Sequence, residues 1–179
     1  MMFNKMMFNK LRRIINGQKG FTLIEVITAL AITGIIGLGA GMATAQILTQ
    51  AARNSDYTAA SQHTMNAIYW ISRDAQMSQD VKPNGISGFP LTLSWTEWDN
   101  SEHQVTYSIE DDMLRRSYSI NGGAPSETVV AQYIDSVSEN TECELTSGLL
   151  TLKVTTTIGE GVNAISVSRV REIAPRPGL

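Results

Sequence analysis

Residues 19–42 have the sequence KGFTLIEVITALAITGIIGLGAGM, and this stretch determines what fold the chain can adopt. Between residues 21 and 52 the only ionisable side chain is that of Glu25. A bilayer is crossed by a helix of about 20 apolar residues, so this run is long enough to span one. We therefore predict a transmembrane helix at residues 21–52.

The charge of the chain is unevenly divided around this apolar run. Residues 1–20 contain five basic residues and no acid, which leaves nine bases and all 17 acids in the remainder. Basic residues beside a membrane helix mark its cytoplasmic side. We expect residues 1–20 to be a cytoplasmic basic leader, and the chain to cross the cytoplasmic (inner) membrane once. The acidic remainder argues against nucleic-acid binding, which needs a clustered basic surface.

The helical pattern continues beyond the apolar run as one amphipathic face. Apolar residues recur there at intervals of three to five, as on one side of a helix, at Tyr57, Ala60, Met65, Ile68, Ile71 and Ala75. No proline occurs between Phe21 and Pro83. We predict one helix from about Thr22 to about Gln79, in which residues 53–80 are the amphipathic continuation.

Four glycines, Gly34, Gly37, Gly39 and Gly41, crowd one part of the apolar run. Small residues allow close packing against another membrane helix. Glycine also weakens a helix by roughly 1 kcal/mol relative to alanine. These glycines therefore indicate close packing, or helix flexibility when the chain leaves the bilayer, and the two interpretations are compatible.

The remainder of the chain predicts short strands separated by turns. Apolar residues alternate at 91–95, 105–109, 114–120 and 150–156, and a last strand begins near Val162. Residues 129–137 are apolar without a clear period and form the weakest predicted strand. Hairpin-length links favour an antiparallel sheet with one face on the helix. We predict an α+β fold: a long N-terminal helix packed on a β-rich soluble domain at 81–173, followed by a disordered tail at 174–179.

Glu25 is the unusual residue of the apolar run. A carboxylate inside a membrane segment is costly, and such residues are commonly functional. An alternative is that Glu25 reaches the membrane interface, because it lies only about 9 Å along a helix from Lys19.

The segment GFTLIEV, preceded by a basic leader and followed by an apolar helix, resembles the type IV pilin-like prepilin superfamily. In that family a membrane-embedded aspartyl peptidase cuts after the glycine and methylates the new terminus. The resemblance implies cleavage between Gly20 and Phe21, N-methylation of Phe21 and an assembly role for Glu25. The implied partners are this prepilin peptidase/N-methyltransferase, other pilin or pseudopilin subunits and the inner-membrane assembly platform.

Electrostatics is consistent with these implied roles. Cleavage creates an α-amine on Phe21, and a cation there can pair with Glu25 of a neighbouring subunit at low dielectric. Leaving either charge unpaired among packed helices is expensive. The pair would set the axial register between subunits, as a buried polar residue does in a coiled coil.

Within the predicted sheet, VTYSIEDDMLRRSY at residues 105–118 resembles a minor pseudopilin of the J type from type II secretion, or the equivalent minor pilin of a type IV pilus. Cys143 is the only cysteine, so the disulfide loop of many major pilins cannot form. The resemblance implies a minor subunit that sits at the filament tip or primes assembly.

Two other functions are compatible with the sequence. Ala43, Thr44 and Ala45 could form the cleavage site of an ordinary signal peptide, which would release a secreted protein beginning at Gln46. Alternatively, the chain is a membrane-tethered sensor or adhesin that never polymerises.

The sequence carries no set of residues typical of an enzyme. His63 and His103 are far apart, and the chain has no nucleophile elbow or phosphate-binding loop. We predict no enzymatic activity, no cofactor and no metal site. The acidic run at residues 110–112 could hold a calcium ion, although a solvated turn is the commoner outcome. Cys143 is expected to pack as a small apolar group.

Overall fold

The computed structural model describes residues 20–176, so the predicted leader at 1–19 and the end of the predicted tail lie outside the described residues. One helix, α1, runs without a break from Leu23 to Met77 over 55 residues. The predicted helix ends are correct to within two residues. The chain divides into two units, Met1–Gln50 and Ala51–Leu179, and the boundary falls inside α1.

In the first unit α1 is exposed on every side. No residue from 20 to 55 is buried. The helix is long and apolar enough to cross a membrane, with a mean hydropathy of 2.1 in its most apolar window. The hydroxyls of Thr33, Thr44 and Thr49 each donate to the carbonyl four residues earlier, at 2.8, 2.9 and 3.0 Å. These polar groups are thus satisfied within the helix, as a hydrocarbon environment requires.

In the second unit two antiparallel sheets follow α1. The first sheet has five strands in sequential order: β1 (Asp80–Lys82), β2 (Leu91–Thr96), β3 (Glu102–Glu110), β4 (Met113–Ile120) and β5 (Ser126–Ala131). The second has three: β6 (Glu142–Thr146), β7 (Leu149–Ile158) and β8 (Ile165–Ile173). A single bridge between Ile134 and Thr156 connects the segment after β5 to β7.

The α+β class with a long apolar helix and antiparallel strands is confirmed, but several strand predictions need correction. There are two sheets rather than one, and the short strands β1 and β6 were not predicted. The strand predicted at 129–137 is wrong in its bounds, because pairing with β4 draws the polar residues Ser126, Glu127 and Thr128 into β5. The last strand begins at Ile165, since Gly161–Asn163 form a 3-10 turn.

The second half of α1 buries one stripe against the sheets, formed by Ala60, Thr64, Ala67, Ile68, Ile71, Ser72, Asp74 and Ala75. The prediction that Tyr57 and Met65 belong to this stripe is wrong, because they are 52% and 55% exposed. The alanines of the stripe let the sheets approach the helix closely. The short polar Thr64 then fits there, and it bonds to Thr156 at 2.7 Å.

The end of the described chain returns to the end of α1. The backbone N–H of Arg176 donates to the carbonyl of Ser78 at 3.0 Å. Residues 174–176, the first part of the predicted disordered tail, are thus held at this point, and residues 177–179 lie outside the described residues.

Candidate functional site: the start of the helix

Thr22 and Glu25 together form a capping box at the start of α1. The Glu25 N–H donates to Thr22 Oγ1 at 3.3 Å, and the Thr22 N–H donates to Glu25 Oε2 at 2.8 Å. The Thr22 hydroxyl donates to the same carboxylate oxygen, also at 2.8 Å. Such reciprocal bonds satisfy N–H groups that the first helical turn leaves without partners. They fix the start of the helix at Leu23.

The capping box leaves the predicted cleavage point outside the helix. Gly20 and Phe21 precede the first helical residue, and the Phe21 side chain is 87% exposed. Among the described residues, no atom would lie within 4 Å of a Cβ placed on Gly20. The peptide bond between these residues is therefore accessible, and the glycine leaves the backbone free to adopt the extended form that a protease binds.

Glu25 uses only one of its two carboxylate oxygens in the capping box. Within residues 20–176 no hydrogen bond reaches Oε1, and the side chain is exposed. Glu25 can therefore cap its own helix and accept a bond from another molecule. The sequence-based prediction for Glu25 was a bond to another molecule. The capping role was missed, although the spacing Thr-x-x-Glu is itself a signal for a capping box.

The four glycines of the apolar run lie in an unbroken part of α1. A Cβ added at Gly34, Gly37, Gly39 or Gly41 would meet nothing within 4 Å. Nothing in the described chain occupies the space beside them, so both the packing and the flexibility interpretations stay predictions.

The two histidines lie in different places. His63 on α1 accepts a bond from the Gln132 N–H at Nδ1, at 3.2 Å, and contacts the edge of the Tyr133 ring. His103 on β3 is buried and stacks on Trp95, with 5.2 Å between ring centroids. The described structure does not bring the two imidazoles together.

His103 belongs to a chain of polar contacts that sequence reasoning missed. The Ser101 hydroxyl lies 2.6 Å from Asp99 Oδ1 and 3.0 Å from His103 Nε2, and Tyr118 Oη lies 2.6 Å from His103 Nδ1. If the Ser101 hydroxyl donates to Asp99, then His103 Nε2 donates to the Ser101 oxygen, and His103 Nδ1 accepts a bond from the Tyr118 hydroxyl. A nucleophilic triad needs the serine to donate to the histidine instead, so this network does not have that arrangement.

Of the acidic run at residues 110–112, Glu110 is the last residue of β3, and the other two residues form the tight turn to β4. Asp111 and Asp112 adopt positive φ angles of 50° and 56°, which aspartate tolerates in turns. The Asp112 carbonyl accepts a bond from the Ile134 N–H at 2.9 Å. Among residues 20–176 no group of three or more His, Cys, Asp or Glu side chains is arranged to hold a metal ion.

Cys143 is buried beside the loop that precedes β2. Its thiol donates to the carbonyl of Gly88 at 3.0 Å. Burial, together with the charge of Glu142, raises the pKa of the Cys143 thiol to about 12. The thiol therefore stays protonated at neutral pH, which makes it a poor nucleophile.

Residues 15–41 match the family model of the prokaryotic N-terminal methylation motif. This match supports a type IV pilin-like prepilin. The matched segment includes the capping box and the four glycines, and the motif belongs to a structural family rather than a catalytic one. It implies processing by a prepilin peptidase and assembly with other pilins, and with the one apolar helix it indicates single-pass membrane anchoring. No curated protein and no solved structure matches the chain.

Proposed function

We propose that the chain is a pilin-like filament subunit that is cleaved between Gly20 and Phe21 and N-methylated at Phe21. Before assembly it spans the inner membrane with its N-terminus in the cytoplasm. The assembly platform then moves it into an extracytoplasmic filament with other pilin or pseudopilin subunits. The observation that carries the proposal is the start of α1, where an accessible Gly20–Phe21 bond precedes a capped helix whose apolar first half is exposed.

Glu25 is the residue we propose to set the register between subunits. Its Oε2 atom is held by Thr22, which fixes the carboxylate at the first turn, and Oε1 is free for the Phe21 amine of a neighbour. Pairing at low dielectric neutralises two charges that would be costly if left alone among packed apolar helices.

We further propose a minor subunit of a type II secretion pseudopilus or of a type IV pilus. The support is the resemblance of the β3–β4 hairpin to J-type minor pseudopilins. The lone buried Cys143, which leaves no disulfide loop, is consistent with it. A minor subunit is scarce in sheared filaments, and its deletion reduces filament number. A major subunit would dominate the filament mass.

The first experiment is mass spectrometry of the mature N-terminus. The expected result is N-methylated Phe21 in cells with an active prepilin peptidase, and an intact leader in cells without it. Replacement of Gly20 by valine should block cleavage, because a branched side chain beside the scissile bond prevents the close approach to the backbone that glycine allows. A mature terminus at Gln46 would instead show an ordinary signal peptide. Full function with the leader attached would show a tether that does not polymerise.

The second experiment separates the two roles of Glu25. Glu25→Gln keeps a capping side chain and removes the charge, whereas Glu25→Leu removes both. We expect both variants to be cleaved and both to be absent from filaments, because the charge rather than the cap sets the register. Normal incorporation of Glu25→Gln would disprove the register role while leaving the filament subunit intact.

A further inference from the structure

Five residues form a connected cluster on the second unit, which we call the Trp70 cluster: Tyr69, Trp70 and Arg73 on α1, and Arg116 and Tyr118 on β4. The guanidinium carbons of Arg73 and Arg116 each lie 5.4 Å from the centroid of the Trp70 ring. That of Arg116 also lies 4.9 Å from the Tyr118 ring, and Tyr69 meets the Trp70 ring edge-on at 6.0 Å. The cluster thus links the helix to the first sheet.

The inner part of the cluster is satisfied within the chain. Arg116 Nε donates to Asp74 Oδ2 at 2.7 Å, and its side chain is 16% exposed. The outer part is not satisfied. Arg73 is exposed and forms no ion pair with any residue of the described chain. Its guanidinium lies over the Trp70 ring.

Large apolar side chains extend this surface along α1. Tyr57, Met65 and Tyr69 are 52%, 55% and 58% exposed. Met65, Tyr69 and Arg73 follow one another at intervals of four residues and form one ridge on the helix. Tyr57, by contrast, lies on the same side of the helix as the buried Ala60 and Thr64. Scattered exposed apolar residues need no explanation, but a ridge that ends in an aromatic and arginine cluster is typical of an interaction surface.

We infer that this ridge, from Met65 to Arg73 with the Trp70 cluster at its end, is a docking surface for a neighbouring pilin-like subunit. Tyr, Trp and Arg are the side chains enriched where subunits bind each other most strongly. The methylation motif implies assembly with other pilins, which supplies the class of partner. The inference rests on the proposed function.

The charge of the ridge indicates which chemical groups the partner subunit places against it. Residues 51–179 contain nine bases and 16 acids, so the unit is acidic overall, yet the ridge exposes a cation in Arg73. A subunit of similar acidic composition offers carboxylates to such a cation. The contact therefore places a carboxylate of the neighbour on Arg73 and apolar side chains on Met65 and Tyr69.

Site-specific photo-crosslinking of the full chain, in cells that assemble the filament, tests the inference. A photoreactive residue replaces Met65 or Tyr69, and the matched control replaces Trp98, which is 94% exposed on the β2–β3 turn. The expected result is a cross-link from positions 65 and 69 to a pilin-like subunit, identified by mass spectrometry, with a yield at least about fivefold above that from position 98.

Charge reversal provides the second measurement. Arg73→Glu should lower the cross-link yield from position 65 by about fivefold or more, because it opposes the neighbour's carboxylate. Arg169→Glu, at an exposed arginine on β8, should leave the yield unchanged. Since both arginines are exposed, equal protease resistance of the two variants in membranes would show that folding is not the cause.

The outcomes separate the two proposals. If the wild-type chain is cleaved and found in filaments, but positions 65 and 69 give no cross-link or link only to a protein of another class, the docking surface is overturned and the proposed function stands. If the wild-type chain is neither cleaved after Gly20 nor found in filaments, both the docking surface and the proposed function are overturned. Equal yields for Arg73→Glu and Arg169→Glu would overturn the role of the Arg73 charge.

Discussion

The helix α1 carries one carboxylate in its first turn and another near its end, and their surroundings differ. Asp74 is 1% exposed and accepts bonds from Tyr107 Oη at 2.6 Å and Arg116 Nε at 2.7 Å. Glu25 is exposed, is held only by Thr22, and has an oxygen without a partner in residues 20–176. One acid is satisfied by the fold, and the other still has an open position for a partner.

This difference shows that the carboxylate in the second half of α1 has all its partners within the chain, whereas the carboxylate in the first half does not. A buried charge without a partner costs several kcal/mol, so the domain supplies Asp74 with a cation and a hydroxyl from the first sheet. Burial and the Asp74 charge raise the pKa of Tyr107 well above its usual range, so the phenol remains a donor. Although desolvation opposes it, the Asp74 hydrogen bond and charge raise the pKa of Arg116 as well. In the first half of α1, the side chain of Glu25 bonds only to Thr22 among residues 20–176.

The largest effect is expected from Asp74→Ala. The change leaves Arg116 partly buried without its carboxylate and Tyr107 Oη without its acceptor. We expect a loss of about 3–5 kcal/mol in the free energy of unfolding of the domain. The measurement is denaturant unfolding of the full chain in detergent, followed by tryptophan fluorescence.

The matched control for Asp74→Ala is Glu25→Ala. Because the side-chain hydrogen bonds of Glu25 among residues 20–176 are all with Thr22, its replacement should leave the unfolding midpoint of the domain unchanged. A loss below about 1 kcal/mol for Asp74→Ala, similar to that of an exposed ion pair, would contradict the view that this carboxylate holds the helix to the sheet.

Glycine substitutions compare the same two regions. At Gly88, φ is +77° and an added Cβ would lie 1.9 Å from the carbonyl oxygen of Cys143. We expect Gly88→Ala to cost roughly 3 kcal/mol, from backbone strain and from the overlap. At Gly37 an added Cβ meets nothing within 4 Å, so Gly37→Ala should leave the folded chain intact.

The readout for the glycine pair is twofold: the unfolding midpoint of the domain and recovery in filaments. Gly88→Ala should lower the midpoint, whereas Gly37→Ala should affect only recovery, because we expect a neighbouring helix to fill the space beside Gly37 in the filament. Unchanged recovery of Gly37→Ala in filaments would mean that the glycine does not pack closely against another subunit.

Tyr107→Phe has a smaller expected effect on the Asp74 site. It keeps the buried ring and Arg116, and removes only the hydroxyl that donates to Asp74 Oδ2. Hydrogen bonds to charged groups contribute about 1.5–3 kcal/mol, so the loss should fall in that range and below that of Asp74→Ala. A loss equal to that of Asp74→Ala would assign the whole effect to the tyrosine rather than to the ion pair.

Much of the fold and of the candidate site could be predicted from the sequence because the deciding signals are local. The apolar run, the helical period and the Gly20–Glu25 motif are each contained in a short window. The Asp74 site could not be predicted, since its partners Tyr107 and Arg116 lie 33 and 42 residues away. The same reason explains Tyr57 and Met65. Tyr57 precedes Ala60, the first residue of α1 that is buried, and Met65 lies beside the buried face, and the spacing alone shows neither limit of the covered surface.

The smallest effect is expected at the start of α1, from Thr22→Ala. The threonine hydroxyl accepts the Glu25 N–H and donates to its carboxylate, so its loss removes half of the capping box. Loss of such a cap costs about 1 kcal/mol of helix stability. We expect faster amide hydrogen exchange at residues 23–26 and unchanged exchange in the sheets. Cleavage at Gly20 should persist, because the scissile bond already lies outside the helix. If exchange at residues 23–26 did not change, the hydroxyl would not be what fixes the helix start, and the Thr22 N–H bond to Glu25 would be sufficient.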